Sequence, residues 1–447
     1  MTEDDLRALS WGVADHVGEA GAPLGERFRG LAADVANASS LGLYQYFRTH
    51  QAAVTSLAAV RDQAGRATTG LNGASQDYLG LAGDPRVTEA AKAAIDRWGA
   101  HSAGSGPMGG RIALAVKIED VLSRQLGLDW TCLFPTGWAA GYGAIKALLR
   151  PGDHVVLDSL AHNCLQHGAQ ASGARIHLFP HNDLDGLERR LARIRRDDPA
   201  ASILVITEAL FSMDSDTPDL ARVVEIKARH GAHLLLDVAH DFGCLGPGGA
   251  GLMAEAAGSY EGVDYVIGSF SKTFASIGGF FASNDEGALR AVQAFSGSFT
   301  FSNYPIPAQL GAIRAAMDIV FSLEGNERRA AMLANVRRLR DGLVVQGMAT
   351  LGRPSAMAIA VVGSEARARL AYREILVQGV IVNCIEFPAV RRGESRFRIQ
   401  LSPDWRQAEI DRIAEAVGEG LRRADRLDGE SAGQRLIRGK LALPAGE

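Results

Sequence analysis

Short apolar runs alternate with amphipathic segments through the middle of the chain. The apolar runs are rich in Val, Ile and Leu, and they predict strands at 131–134, 154–158, 175–179, 203–207, 233–237 and 265–269. Segments with helical periodicity lie between most of these runs, for example at 138–149, 184–196 and 219–230. Continuous apolar strands that alternate with helices are typical of parallel sheets covered on both faces. The pattern therefore predicts an α/β fold built on a mainly parallel sheet.

The pattern differs on either side of this region. A long helical stretch at 307–345 is followed by a predicted strand at 357–362, a helix at 365–378, strands at 380–384 and 396–401, and a last helix at 407–426. This order is typical of a smaller α+β domain. We therefore expect a helical arm at 1–65, a large domain at 66–335, a small C-terminal α+β domain at 336–430 and a loose tail at 431–447.

Two of the predicted strands are followed by residues that suggest chemistry. Lys272 lies in a loop rich in Ser and Gly just after strand 265–269, and Asp237 ends strand 233–237, three residues before His240. Ligands of such sheets collect at the carboxyl ends of the strands. A lysine in this position either faces a phosphate or acts as an amine nucleophile. A lysine that forms a Schiff base, with an acid that keeps a pyridine nitrogen protonated, is what pyridoxal phosphate chemistry needs.

Composition narrows the class of protein. The 447 residues are 47% hydrophobic, which suffices for a large core and two or more domains. The net charge of −4 gives no indication of nucleic acid or of an anionic membrane as a partner. The four cysteines are scattered without a Cys-x-x-Cys pair, so we expect neither a zinc site nor disulfides. The acidic N-terminus and the lack of an apolar run of about 18 residues predict a cytoplasmic protein without a membrane span.

Six motifs occur in an order and at a spacing that point to one family. They are Asp77–Leu81, Phe134–Trp138, His181–Asp183, Thr207–Asp214, Asp237–His240 and Gly268–Lys272. From about Asn72 to about Ala416 the chain resembles the α-oxoamine synthases, which are fold-type-I pyridoxal-phosphate-dependent transferases. The resemblance implies a large domain with a mainly parallel sheet covered by helices, and a smaller C-terminal α+β domain. It also implies a decarboxylative Claisen condensation of an amino acid with an acyl thioester, giving an α-aminoketone.

The resemblance implies roles for five residues around the cofactor ring. Lys272 matches the Schiff-base lysine, which also moves a proton at the α-carbon. Asp237 matches the acid that pairs with the pyridine nitrogen, and His162 matches the histidine that stacks on the ring. His240 and Ser212 match residues near the ring oxygen. Without the resemblance, His162 and His240 would more often be core histidines.

The resemblance also implies a phosphate site. Thr136, Gly137 and Trp138 begin a predicted helix, where backbone N–H groups bind phosphate, and Ser269 matches a hydroxyl ahead of the lysine. An ordinary helix N-cap is the alternative interpretation of Thr136. Ser302 falls where the family reaches the phosphate of a neighbouring subunit, which implies a homodimer with shared active sites.

Substrate-binding residues are implied at two further positions. Arg398 matches the arginine that binds the amino-acid carboxylate, with Arg396 as its neighbour two residues back on the strand. Gln76 stands where the family usually has Asn, so the choice of amino acid is open. The Gly-rich segment Gly104–Arg111 is rearranged, and Ala115 stands where the family has His. The acyl donor, coenzyme A or an acyl carrier protein, therefore also stays open.

Two alternatives remain at this stage. The chain could be another fold-type-I enzyme, such as an aminotransferase, an aldolase or a lyase. It could instead be a catalytically silent paralogue that serves as a scaffold subunit, although Lys272, Asp237 and His162 argue against that interpretation. Carbon dioxide release would separate the condensation from transamination, and purification without cofactor would support the scaffold.

Overall fold

The computed structural model describes residues 3–17, 21 and 23–430, with side chains described from residue 7 to residue 427 within these ranges. The tail expected at 431–447 lies outside the described residues. The strands are β1 Thr49–His50, β2 Leu57–Arg61, β3 Ala67–Asn72, β4 Trp130–Phe134, β5 His154–Asp158, β6 Arg175–Phe179, β7 Ile203–Glu208, β8 His233–Asp237, β9 Tyr265–Ser269, β10 Gly279–Ser283, β11 Thr350–Leu351, β12 Met357–Gly363, β13 Val380–Ile381, β14 Asn383–Ile385 and β15 Ser395–Gln400.

The helices follow the same chain order. They are α1 Glu3–Ser10, α2 Leu24–Arg27, α3 Arg29–Ser40, α4 Pro85–Trp98, α5 Ala113–Leu126, α6 Gly137–Leu148, α7 Asn163–Ser172, α8 Leu184–Asp197, α9 Leu220–Arg229, α10 Leu252–Ala257, α11 Glu286–Phe295, α12 Gly297–Thr300, α13 Pro307–Val320, α14 Leu323–Val345, α15 Glu365–Val377 and α16 Gln407–Glu430. Short 3₁₀ turns lie at Val13–His16, Gly106–Met108 and Pro247–Gly249.

The chain divides into two compact units, one formed by Gln76–Met332 and one by Met1–Ser75 together with Leu333–Glu447. The first unit holds a seven-stranded sheet in the order β4-β10-β9-β8-β7-β5-β6. Five adjacent strands, β9, β8, β7, β5 and β6, are parallel to one another, and β10 runs antiparallel to both β4 and β9. The prediction of a mainly parallel sheet is confirmed.

Burial explains why these segments form strands. Every residue of β5, β7 and β9 is buried, and Leu234, Leu235 and Leu236 of β8 have no exposed surface. Burial of a leucine side chain stabilises a fold by about 1.5–3 kcal/mol. Helices α6, α8 and α9 pack against the sheet and exclude water from it. The sheet can therefore hold strand-end side chains in fixed positions.

The second unit contains two four-stranded sheets, β1-β2-β3-β13 and β11-β12-β15-β14. In the first, β3 pairs with β2 in antiparallel and with β13 in parallel orientation. The expectation of a helical arm at 1–65 did not include β1 and β2. Both strands are short, and the sheet that holds them is completed by β13, far along the chain, so the local sequence gives only a weak signal. The domain boundaries at 66–335 and 336–430 stay a prediction.

Other differences concern single elements. The predicted helical stretch at 307–345 is two helices, α13 and α14, because the chain turns at Phe321, and the hydroxyl of Ser322 then accepts from the backbone N–H of Gly325 at 3.3 Å. The predicted strand 380–384 is split into β13 and β14, which belong to different sheets. No helix of the described part of the chain is long and apolar enough to cross a membrane.

Candidate active site

The carboxyl ends of three adjacent strands form the centre of the candidate site. Glu208 ends β7 and lies directly opposite Asp237, which ends β8, in the parallel register. Asp237 in turn lies opposite Ile267 of β9, and Lys272 follows this strand by a turn of three residues. Parallel pairing therefore brings together groups that are far apart in the sequence, as ligand sites of this sheet type require.

Asp237 is a buried carboxyl group that interacts with two other candidate residues. One of its oxygens, Oδ1, accepts a hydrogen bond from the backbone N–H of Ala239 at 2.9 Å. Burial raises the pKa of Asp237, while the charges of Lys272 and His162 oppose this effect. All three groups are thus close enough to influence one another. A buried carboxylate of this kind gains most from a cationic partner.

His162 is held at the start of α7 by its backbone and by its ring. Its backbone N–H donates to Oε1 of Glu208 at 2.6 Å, and its Nδ1 accepts from the backbone N–H of Cys164 at 3.3 Å. The sulfur atom of Cys164 lies 3.1 Å from the same nitrogen. Burial lowers the pKa of His162; the Asp237 charge opposes this shift and the Lys272 charge adds to it. These shifts favour the neutral form of the ring.

Glu208 is a residue whose position in the site the sequence did not indicate. It is 3% exposed, and burial, together with the neighbouring Asp237 charge, raises its pKa well above the usual range. Two carboxyl groups on adjacent strand ends do not both ionise readily. Glu208 lies within the Thr207–Asp214 motif and directly after the apolar run 203–207, but neither feature indicated which groups its side chain contacts.

A helix N-terminus and two strand ends form a cradle that suits phosphate. Thr136 caps α6, and its hydroxyl accepts from the backbone N–H of Ala139 at 3.0 Å. Gly137 packs so closely on Ser269 that an added Cβ would lie 2.5 Å from the Ser269 Cβ. Gly279 packs equally closely on Gly137, with 2.7 Å between an added Cβ and the Gly137 Cα. Small residues thus allow the N-terminus of a helix and the end of β9 to meet.

His240 and Ser212 are both buried, on two different loops. Nδ1 of His240 lies 2.8 Å from the hydroxyl oxygen of Tyr78, a residue of the Asp77–Leu81 motif. Ser212 belongs to a tight loop that follows β7, in which the backbone N–H of Phe211 donates to the carbonyl of Asp216 at 2.9 Å. The ring of His181 contacts Phe211 edge-on and lies 2.9 Å from Asp216. His181 therefore fixes the loop that carries Ser212.

Four of the predicted site residues remain: Trp138, Ser302, Gln76 and Arg398. Trp138 is 44% exposed, stacks on Tyr142, and donates from its indole nitrogen to Oδ1 of Asn163 at 3.1 Å. Ser302 is half-buried beside Asn303, which forms an isolated bridge with Ser105.

Gln76 is half-buried at the start of the first unit. Arg398 belongs to β15 of the second unit, and this strand is buried along its whole length. The roles of these four residues stay predictions.

The groups at the strand ends fit pyridoxal phosphate. Asp237 offers a buried carboxylate for a protonated pyridine nitrogen, and Lys272 offers an amine for the aldehyde. The N-terminus of α6 with Thr136 and Ser269 offers N–H groups and hydroxyls for a phosphate dianion. The described residues contain no cluster of three or more side chains that could hold a metal ion.

Comparison with known proteins identifies the family. The family model described as aminotransferase class I and II matches residues 68–417. A putative 8-amino-7-oxononanoate synthase of Bordetella bronchiseptica is 38% identical over 357 residues, which are 79% of this chain and 88% of that protein. The 8-amino-7-oxononanoate synthase of Geotalea daltonii is 34% identical over 343 residues, 77% of this chain and 86% of that protein.

Solved structures agree with the sequence comparison. Serine palmitoyltransferase with its pyridoxal phosphate internal aldimine superposes with a TM-score of 0.83 at 26% identity, covering 90% of this chain and 99% of that one. The serine palmitoyltransferase of Sphingomonas wittichii gives the same TM-score and coverage at 27% identity. The chain belongs to the aminotransferase class I and II family, with the fold-type-I architecture. Within that family it is an α-oxoamine synthase: a pyridoxal-phosphate-dependent acyltransferase that condenses an amino acid with an acyl thioester.

Proposed function

We propose that Lys272, Asp237 and His162 are the reaction centre of this acyltransferase. The observation that carries the proposal is that buried Asp237 ends β8 while Lys272 follows the end of the adjacent parallel strand β9, close enough for its charge to lower the pKa of Asp237 against the effect of burial. The amine can hold the aldehyde group of pyridoxal phosphate, and the buried carboxylate can hold its protonated ring nitrogen. When bound, the cofactor withdraws electrons from the α-carbon of the amino acid. Lys272 then takes and returns the proton at that carbon.

Asp237 keeps the ring nitrogen protonated, and the surrounding side chains hold the ring in place. His162 packs on the ring face, while His240 and Ser212 lie near the ring oxygen. Burial of Asp237 and of Ser212 keeps water away from the reacting atoms, which strengthens each of these interactions.

The phosphate is proposed to bind at the start of α6. Thr136, Gly137 and Trp138 supply the helix N-terminus, and Ser269 supplies a hydroxyl. The close packing of Gly137 on Ser269 supports this proposal, because it places the start of α6 beside the hydroxyl of Ser269. Ser302 is proposed to bind the phosphate of a neighbouring subunit, so that the enzyme is a homodimer. This part of the proposal is supported by the sequence resemblance alone.

Arg398 and Gln76 are proposed to bind the amino acid, again on the resemblance. The relatives carry names that include 8-amino-7-oxononanoate and serine palmitoyl transfer, so their substrates differ. We propose an acyl thioester of coenzyme A or of an acyl carrier protein as the donor, and a cytoplasmic location. The relatives' names do not distinguish between the two donor types.

The proposal is tested by assaying the enzyme with every combination of amino acid and acyl thioester. The purified holoenzyme is incubated with each carboxyl-labelled proteinogenic amino acid, serine among them, and with acyl chains presented as coenzyme A or carrier-protein thioesters. Labelled carbon dioxide and an α-aminoketone should appear together for one amino acid, and Lys272→Ala should abolish both. Lys92→Ala is the matched control, because Lys92 pairs with Glu89 on the exposed face of α4. Consumption of a 2-oxo acid without carbon dioxide release would instead establish an aminotransferase.

A further inference from the structure

The side chain of Cys164 is turned towards the ring of His162. Its sulfur lies 3.1 Å from Nδ1, and the backbone N–H of the same cysteine donates to Nδ1 at 3.3 Å. A backbone N–H can only donate, so Nδ1 must supply a lone pair. A proton on Nδ1 would point at the hydrogen of that N–H. The geometry therefore favours the form of the ring that carries its proton on Nε2.

The thiol of Cys164 cannot easily turn away from this contact. Gly141 of α6 packs against it so closely that an added Cβ would lie 2.6 Å from the sulfur. Cys164 is 2% exposed, and the Ile267 side chain packs on the same glycine. The thiol also stays protonated, because burial raises the pKa of Cys164 and the charges of Asp237 and Glu208 add to this effect. A protonated thiol is a weak donor, and Nδ1 is its nearest described ring acceptor.

The backbone of His162 is fixed independently of its ring. The 2.6 Å hydrogen bond to Glu208 holds the residue at the end of β7, and α7 begins directly after it. With the backbone anchored by Glu208 and Nδ1 anchored by Cys164, both torsions of the histidine side chain are restricted.

We propose that Cys164 is a positioning residue that holds His162 in the Nε2-protonated form, so that His162 is a hydrogen-bond donor to the substrate rather than a base. This inference rests on the proposed place of His162 in the active site. A donor on Nε2 suits an oxygen atom of the substrate, either of its carboxylate or of the developing oxyanion. Proton removal is then left to Lys272.

The test measures the ring itself as well as activity. The protein is labelled with ¹⁵N-histidine, and the resonances of His162 are assigned by their loss in His162→Asn. Nitrogen shifts report which ring nitrogen carries the proton, with and without pyridoxal phosphate. We expect a protonated Nε2 and an unprotonated Nδ1 in both states. A protonated Nδ1 in the parent protein would overturn the proposal.

Three cysteine variants separate positioning from stability. Cys164→Ala removes the thiol donor and keeps the backbone N–H donor, Cys164→Ser replaces the thiol with a hydroxyl donor, and Cys132→Ala removes another buried thiol, from β4. Cys164→Ala should raise the pKa of His162 by about 0.5–1, read from hydrogen exchange at its ring carbon, since one hydrogen bond to the neutral ring is lost. It should lower kcat/KM for the amino acid by about 3- to 10-fold, and Cys164→Ser should restore both values.

The alternative outcomes are distinct. If Cys164→Ala and Cys132→Ala leave the pKa and the protonated nitrogen of His162 equally unchanged, Cys164 has only a packing role and the proposal is wrong. If Cys164→Ala does not fold, the parent protein and Cys164→Ser still report the protonated nitrogen. A protonated Nε2 in an enzyme without acyl-transfer activity would leave the positioning intact and refute the proposed function instead.

Discussion

The backbone N–H of His162 donates a hydrogen bond to Oε1 of Glu208 over 2.6 Å. This contact joins the start of α7 to the end of β7, and it does so with a carboxyl group that is buried beside Asp237. Burial and the Asp237 charge raise the pKa of Glu208 well above its usual range, which favours the neutral form of this group. Through its hydrogen bond, Glu208 positions one residue of the proposed reaction centre.

Substitution of Glu208 tests this role. Glu208→Gln keeps a neutral acceptor of the same shape, so its free energy of unfolding should stay close to that of the parent. Glu208→Ala leaves the N–H of His162 unpaired and should lower the free energy of unfolding by about 1–3 kcal/mol. Urea denaturation of both variants measures the difference. Equal destabilisation by Gln and Ala would mean that the charge of Glu208 matters and that our assignment of a neutral group is wrong.

Asp237 should be essential for turnover but not for folding. Asp237→Asn keeps an oxygen for the N–H of Ala239 and loses the charge that protonates the ring nitrogen. We expect the variant to bind pyridoxal phosphate and to lose at least about 100-fold in kcat, by analogy with other electrostatic contributions at reacting centres. Cofactor content and kcat are measured together. Asp285→Asn, at the start of α11 where Asn is also a good cap, is the control; full activity of Asp237→Asn would refute the role.

Because of His181, the free energy of unfolding should decrease as the pH rises towards 10. Burial opposes its charge, but the carboxyl groups of Asp158 and Asp216 raise the pKa of His181 from 6.5 to about 10. Because the folded pKa is the higher one, the stabilisation is complete below about pH 6.5, declines as the pH rises and is lost above about pH 10.

His181→Gln should therefore lower the free energy of unfolding by about 2–3 kcal/mol at pH 6 and by much less at pH 10.5. Denaturation curves at both pH values provide the measurement. The variant should also bind pyridoxal phosphate more weakly at pH 7, because the loop that carries Ser212 is released. A difference in stability between variant and parent that stays constant across this pH range would exclude an ion pair at His181.

The phosphate cradle depends on the absence of a side chain at Gly137. Gly137→Ala places a Cβ 2.5 Å from the Cβ of Ser269, so the start of α6 and the end of β9 must separate. We expect the dissociation constant for pyridoxal phosphate to rise by about 10-fold or more, since a shift of this kind removes at least one charge-assisted hydrogen bond. Gly83→Ala is the matched control, because an added Cβ there meets no atom within 4 Å. Equal affinities in the two variants would place the phosphate elsewhere.

The sequence predicted the sheet well and the site in part. Strands β5, β8 and β9 lie where their apolar runs predicted, because a strand buried on both faces has a continuous apolar signal. The edge strand β6 also lies at its predicted residues, although most of it is exposed. Strand β10 was missed, since Gly279–Ser283 begins with glycine and is stabilised by antiparallel pairing with both β4 and β9.

Side-chain contacts that depend on neighbouring strands and helices were also missed. Lys272 and Asp237 lie in recognisable motifs and His162 matches the family's ring-stacking histidine, whereas the contacts of Glu208 and Cys164 come from neighbouring strands and helices. Glu208 lies within the Thr207–Asp214 motif, but that motif does not indicate its hydrogen bond to the backbone of His162. A cysteine two residues after a histidine has no distinctive pattern. The positions of Glu208 and Cys164 are set by strand register and by the packing of α6 on α7, which a single sequence does not encode locally.

Borohydride trapping of the cofactor tests whether Lys272 is the amine that holds the cofactor's aldehyde. Reduction of the holoenzyme fixes the cofactor to the amine that holds its aldehyde, and mass spectrometry of the peptides identifies that amine. We expect the mass of the reduced cofactor on the peptide that contains Lys272, and no added mass in Lys272→Ala. Attachment to a different lysine, or no attachment in a protein that has bound pyridoxal phosphate, would contradict this expectation.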